Sequence, residues 1–227
     1  RFISMTSHEF RTPLAGILSS AELLERYGDR WPDEKKVRHL QQIQASTQHM
    51  TQLLEDVLTI GKAEAGRLEV QAAEVDLAQF CQDMVEEMQR MARAGQTIVY
   101  TGVGLEVPVK MDAKLLRQIV GNLLSNALKY SPENSAVEFS AERSDGRLVF
   151  RVADHGIGIP AEDQVRLFET FHRAANVGTT PGTGLGLAIV KKAVDLQGGQ
   201  VVCESAAGQG ATFTVWLPLE ARQECTA

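Results

Sequence analysis

Apolar side chains recur at helical intervals along residues 1–66. Ile3, Ser7, Phe10, Leu14, Ile17, Ala21 and Leu24 alternate steps of four and three, and Leu40, Ile43, Thr47, Met50, Leu54, Val57 and Gly61 alternate steps of three and four. Both runs are heptad seams of the kind that pack helices into bundles. Between them "YGDRWPDE", Tyr27 to Glu34, breaks the pattern. Gly28 can stop the first helix, and Pro32 followed by Asp33 can start the second, which predicts an antiparallel helical hairpin. Two helices alone have little to bury. A four-helix bundle made by two chains, a homodimer, is the economical completion, and docking on the chain's own second domain is the alternative.

From Val75 onward the period shortens to two. Alternating strands are predicted at "TIVYTG" from Thr97, "AVEFSAER" from Ala136, "RLVFRVAD" from Arg147, "QVVCES" from Gln200 and "TFTVWLP" from Thr212, with "SDGR" as a hairpin turn. Helical segments fall at 76–94, 112–130, 161–171 and 184–197. The fold class is α+β: the hairpin, then a mixed sheet with helices segregated onto one face. The stretch "GKAEAGRLEV" is the junction, giving domains at 1–66 and 74–220.

Composition narrows the function. The 227 residues are 44% hydrophobic and 23% charged, an ordinary globular balance, and the net charge of −6 lacks the basic stripe of a nucleic-acid binder. No apolar run approaches the roughly 18 residues that span a bilayer, and no signal peptide is visible. Cys81, Cys203 and Cys225 are scattered and odd in number, which fits a reduced, cytoplasmic setting. The chain opens on Arg1 within a helical pattern, so an upstream sensor or membrane anchor is expected outside it.

Three stretches carry candidate chemistry. In "DAKLLRQIVGNLLSNALKYS", Leu115, Leu116, Ile119, Val120, Leu123, Leu124, Ala127 and Leu128 form a buried side, while Asn122, Asn126 and Lys129 share another face. The two amide oxygens can ligate Mg²⁺ and the lysine can meet a phosphate; a solvated polar stripe is the plain alternative. "DHGIGIP", Asp154 to Pro160, closes a strand, and "PGTGLGLAIV", Pro181 to Val190, opens a helix, where glycines and a helix N-terminus favour an anion. Neither matches a P-loop or a dinucleotide fingerprint. The small, polar second half of "FETFHRAANVGTTPG" suits a lid.

Together these motifs resemble the sensor histidine kinases of two-component systems over nearly the whole chain. "SHEFRTPL" resembles the H box, "NLLSNALKYS" the N box, "DHGIGIP" the G1 box, "LFETFHR" the F box and "GTGLGLAIV" the G2 box. The resemblance implies a dimerisation and histidine-phosphotransfer hairpin followed by an ATP-binding domain of the Bergerat fold. It implies that His8 accepts the γ-phosphate and that Glu9 assists as base. It further implies that Asn126 and Asn122 hold Mg²⁺, that Lys129 meets phosphate, and that Tyr130 packs near the adenine. By the same resemblance Asp154 bonds the adenine amino group in a pocket shaped by Gly156 and Gly158. Arg173 matches the arginine that reaches the phosphates, and Gly182, Gly184, Leu185 and Gly186 match the run that borders the lid.

His8 lies one step, about 100°, from Ser7 on the packing seam, which predicts a flank position open to solvent. Pro13 cannot donate to the carbonyl of Glu9, so a bend is expected there. A near-neutral imidazole keeps a nitrogen for attack, and Glu9 can stabilise the charge that develops. His39, His49 and His172 read as plain surface histidines, and His155 receives no role. Thr12 shares a helix face with His8. Its "HExxT" setting resembles kinases that also dephosphorylate their regulator, whereas a bond back to the carbonyl of His8 is the structural alternative. Relatives in the ATP-binding superfamily that hydrolyse ATP carry a glutamate where this sequence has Asn122, which disfavours an ATP-driven conformational machine. The expected function is Mg-ATP-dependent autophosphorylation of His8 and transfer to an aspartate on a response-regulator receiver domain. The alternative is a nucleotide-binding dimeric signalling scaffold without transfer.

Overall fold

The computed structural model describes residues 2–65, 70–178, 180 and 182–219, with the side chains of residues 2–5, 7, 8 and 64 outside the described set. The chain divides into two compact units, Arg1–Gly66 and Arg67–Ala227. No helix among the described residues is long and apolar enough to cross a membrane.

The first unit is a pair of packed helices, α1 (Phe2–Tyr27) and α2 (Asp33–Glu64). The turn Gly28–Arg30 separates them, and Pro32 stands immediately before α2 in an extended conformation. An aromatic stack pins this corner: Tyr27 lies 5.9 Å from Trp31, Trp31 lies 5.0 Å from His39, and Lys35 Nζ sits 3.8 Å above the Trp31 ring. His39 Nδ1 also reaches Ser20 Oγ at 3.4 Å. His39 is therefore packed into the hairpin, and His49 is half-buried; neither is the plain surface residue expected.

Each heptad seam is split. Phe10, Ile17 and Leu24 on α1, with Ile43, Met50 and Val57 on α2, are half-buried within the hairpin. Leu14 and Leu40 are each 51% exposed, and Leu54 is 50% exposed. Pro13, Ser20, Leu53, Asp56 and Ile60 are buried between the helices. Desolvation raises the Asp56 carboxyl above the usual carboxylate range, although Gln52 donates to it at 2.9 Å.

The second unit carries a five-stranded sheet in the order β2 (Thr97–Val103), β4 (Ala136–Ser144), β5 (Arg147–Asp154), β7 (Ala211–Pro218), β6 (Gln200–Ser205). Only β2 and β4 run parallel, because α4 (Ala113–Tyr130) crosses between them; the other neighbours are antiparallel. Asp145 (φ 50°) and Gly146 (φ 71°) make the β4–β5 turn, both in the left-handed region that a tight hairpin requires. Val137, Phe139 and Ala141, Leu148, Phe150 and Val152, and Phe213, Val215 and Leu217 point into the core. There α3 (Leu77–Met91), α4 and α6 (Gly186–Leu196) cover the sheet on one face. Asp76 and Asp112 cap α3 and α4 by accepting from backbone N–H groups of their first turns.

Two features depart from expectation. A separate two-stranded sheet pairs β1 (Ala73–Val75) with β3 (Val109–Met111); three residues are too short to show alternation. The helix expected over 161–171 is only α5 (Ala161–Gln164), followed by turns. Seven residues after α5 ends, Phe171 takes φ 62° and donates its N–H to the Gly184 carbonyl at 2.9 Å, a bond that a helix continued to 171 would forfeit.

Candidate functional site

The C-terminal half of α4 is the floor of the site. Its apolar side is fully buried as the periodicity requires, so Asn122, Asn126, Lys129 and Tyr130 are turned to the half-buried flank. Asn122 Nδ2 donates to Gln118 O at 2.8 Å, which fixes the amide and turns Oδ1 toward Gly186. A Cβ at position 186 would stand 2.7 Å from that oxygen, so the first turn of α6 lies against the asparagine only because Gly186 has no side chain. Asn126 makes no side-chain hydrogen bond to any described residue. Two half-buried amides with available oxygens beside a helix N-terminus suit a hard divalent cation that shares its shell with phosphate. Among the described residues no cluster of His, Cys, Asp or Glu could hold a metal by itself.

Tyr130 joins the glycine motifs. A Cβ at Gly156 would meet the Tyr130 carbonyl at 2.5 Å, and one at Gly182 would lie 3.8 Å from the Tyr130 hydroxyl and collide with Lys129 Nζ. Lys129 Nζ is 4.9 Å from the Tyr130 ring. Burial lowers the Lys129 pKa, and the positive charge of Arg173 lowers it further. Burial raises the Tyr130 hydroxyl, with Arg173 opposing. The guanidinium of Arg173 is itself bonded to the Thr180 carbonyl. Two cations held close enough to disfavour each other, with one partly desolvated, form a place that an anion stabilises.

Asp154 ends β5 opposite Ala211. Its carboxyl is raised by burial, which outweighs the N–H groups of Gly156 and Ala211 that favour its charge; Gly156 N donates to Oδ1 at 2.8 Å. A half-buried carboxylate with unused acceptor capacity suits an incoming amino group. The loop beyond it is held tightly: Gly158 (φ 61°) is pressed against the Ala206 carbonyl, where any side chain would clash. Gly184 approaches the backbone of Phe171 and His172, and Leu185 is wholly buried with its N–H 3.2 Å from Thr183 Oγ1. The N, G1, F and G2 motifs thus meet beside the C-terminal half of α4.

In the other unit Glu9 is half-buried and Thr12 exposed on α1. The backbone of His8 belongs to α1, while its side chain lies outside the described residues.

Several supporting residues carried no sequence signal. Asn176 Nδ2 donates to Gly158 O at 2.9 Å, tying the loop after the F motif to the G1 loop. Gln164 Nε2 donates to Ile159 O and Ser205 O, and Ser205 Oγ accepts from Ile159 N. Arg93 donates to the carbonyls of Leu128, Lys129 and Ser131, and buried Gln96 to those of Leu128, Ser131 and Pro132. These two residues close the C-terminus of α4 from more than thirty positions away and thereby set Lys129 and Tyr130. His172, expected at the surface, is only 10% exposed and stands 3.2 Å from Asp163.

Two family models match the chain. Residues 1–66 match the His Kinase A (phospho-acceptor) domain, and residues 111–221 match the histidine kinase-, DNA gyrase B-, and HSP90-like ATPase. The chain belongs to the sensor histidine kinase family. The circadian input-output histidine kinase CikA of Synechococcus elongatus is 36% identical over 96% of this chain and 29% of its own length. Full-length ShkA in complex with AMPPNP superposes with a TM-score of 0.71, at 32% identity over 97% of this chain and 46% of that one. The mycobacterial sensor histidine kinase MprB gives a TM-score of 0.57 at 30% identity, over 64% of this chain and 97% of that one. The chain spans 29% of the length of CikA and 37% of DivJ of Caulobacter vibrioides and of WalK of Bacillus subtilis.

Proposed function

We propose that this chain is the catalytic core of a sensor histidine kinase that uses Mg-ATP to phosphorylate His8 and passes the phosphoryl group to an aspartate of a response-regulator receiver domain. The observation that carries the reading is the convergence of four motifs beside α4, which bring a half-buried carboxylate, Asp154, and two neighbouring cations, Lys129 and Arg173, to the same helix. Asp154 accepts from the adenine amino group, and Tyr130 flanks the base. Lys129, Arg173 and the N-terminus of α6 hold the phosphates. Asn122 and Asn126 would hold Mg²⁺, which supplies charge neutralisation at the transferring phosphate.

A ring nitrogen of His8 attacks the γ-phosphorus, the bond to the bridging oxygen breaks, and ADP leaves with that electron pair. Glu9 stabilises the imidazolium that forms and accepts its surplus proton. Asn122 stands where a hydrolytic relative would carry an acid to activate water, which supports histidine over water as acceptor. Transfer then depends on positioning and electrostatics more than on covalent help from the protein.

The bare apolar stripe of the hairpin supports a homodimer whose four helices present both His8 residues. An upstream sensor outside this chain and a cytoplasmic setting belong to the same proposal.

With γ-labelled ATP the protein is expected to take up an acid-labile, base-stable label. Asn126→Asp is expected to slow labelling by about tenfold or more while nucleotide affinity changes less, because the amide acts at the transferring phosphate. Nucleotide binding without label would favour the scaffold reading. Thr12, exposed one turn from His8, supports a phosphatase activity in which its hydroxyl holds the water that attacks the regulator's phospho-aspartate. Thr12→Ala should retain labelling and transfer yet lose acceleration of phospho-regulator decay in the presence of ADP. Equal decay with both proteins would make Thr12 structural.

A further inference from the structure

We propose that His172 and Asp163 latch the base of the loop that carries Arg173, and so position its guanidinium at the phosphate end of the site; the proposal rests on the nucleotide reading above. His172 and Asp163 are positioning residues, acting through Arg173.

Asp163 is a fixed point. It lies in the single turn of α5, where its N–H donates to Pro160 O at 3.0 Å. The next residue, Gln164, bonds the G1 loop and β6. From there the two carboxylate oxygens of Asp163 hold two points of the following chain. Oδ2 accepts the Ala175 N–H at 2.8 Å, and Oδ1 stands 3.2 Å from His172 Nε2. The side chains are only 13% and 10% exposed. Nε2 is buried and makes no hydrogen bond to a described residue; Asp163 Oδ1, at 3.2 Å, is the charged atom it faces. An N–H at Nε2 would face the carboxylate favourably, whereas a bare ring nitrogen there would oppose two lone pairs.

Arg173 lies between these tethers. On its N-terminal side Phe171 holds φ 62°, costly for a bulky residue and sustained by its bond to Gly184 O. On its C-terminal side Ala175 is tied to Asp163. Hydrogen bonds at 171 and 175, with the buried His172 ring set against Asp163 between them, leave the backbone of Arg173 little freedom. Its long side chain then crosses to the Thr180 carbonyl and brings its charge to Lys129 and Tyr130. Holding the backbone in place removes part of the ordering entropy that an exposed arginine otherwise loses when it grips phosphate. Arg166 acts on Asp163 electrostatically from the same segment but is engaged by Glu169 at 2.9 Å.

The test compares the affinity of the full chain for the nonhydrolysable nucleotide AMPPNP with Mg²⁺ in His172→Phe, His172→Gln, Asp163→Asn, Arg173→Ala and the double variant His172→Phe/Arg173→Ala. Thermal melts verify that each is folded. Arg173→Ala and His172→Phe should each weaken binding by about tenfold. The double variant should be no weaker than Arg173→Ala alone, because the latch acts only through that guanidinium. His172→Gln, which keeps a donor toward Asp163, should recover most of the loss. Additive losses in the double variant, or wild-type affinity in both His172→Phe and Asp163→Asn, would overturn the latch. If Asp154→Asn abolishes binding while Arg173→Ala leaves it unchanged, the nucleotide reading survives and the latch falls; a wild-type chain that binds no nucleotide removes both.

Discussion

The two units bury their apolar residues to very different extents. In the second, Phe139, Phe150, Leu116, Ile119, Leu123 and Leu148 are at most 1% exposed, and the sheet and its helices close a core within one chain. In the first, Leu14, Leu18, Leu40, Leu54 and Leu58 are between 50% and 60% exposed, along the same helices whose other side packs Leu53 and Ile60. The difference separates a domain that closes its own core from a hairpin that leaves an apolar stripe uncovered, as the proposed homodimer requires. Each leucine brought from water into a packed seam contributes roughly 2 kcal/mol, so a second copy laid on this stripe would supply what the hairpin lacks.

The largest effect should come from breaking that stripe. Leu54→Asp with Leu58→Asp is expected to convert the full chain from dimer to monomer in sedimentation and to melt much of the helical signal of residues 1–66. Nucleotide affinity of the second unit should stay within about twofold, since distant sites are independent. A dimer of unchanged strength would show that the stripe serves another partner.

A smaller effect should come from inside the hairpin. Burial holds the Asp56 carboxyl above its ordinary pKa, so the folded state binds its proton more tightly than the unfolded chain does. The stability Asp56 contributes is therefore full below the ordinary carboxylate pKa and is lost as pH rises through the folded value. Asp56→Asn should raise the melting temperature of the first unit by a few degrees at pH 7 and by progressively less in acid. An equal shift at both pH values would mean that the charge of Asp56 is not what costs stability.

The same contrast explains what the sequence made legible. The eight apolar positions of α4 are all buried, because a helix packed along one side records its environment at every turn. The hairpin seams were legible as seams, although their spacing did not reveal that Leu14 and Leu54 stay bare while Ile17 and Leu53 are covered. Asn122, Lys129, Tyr130, Asp154 and the G2 glycines fell on recurring motifs and come together around α4. Arg93, Gln96 and Asn176 left no trace, because each acts by a side-chain bond to backbone carbonyls distant in sequence. His172 looked like a surface histidine because nothing along the chain marks Asp163 as its partner. The helix expected over 161–171 ends at Gln164; the turns that follow lead to Phe171, whose left-handed conformation and tertiary bond to Gly184 are not written in local propensity.

The central claim is that acceptor and nucleotide reside in different units of one chain. It is tested most directly by exposing wild type, His8→Gln and Asp154→Asn to γ-labelled ATP with Mg²⁺ while measuring nucleotide affinity in parallel. The account predicts acid-labile labelling of wild type, no label on His8→Gln at unchanged affinity, and loss of both label and affinity in Asp154→Asn. Labelling of His8→Gln at the wild-type level would contradict it.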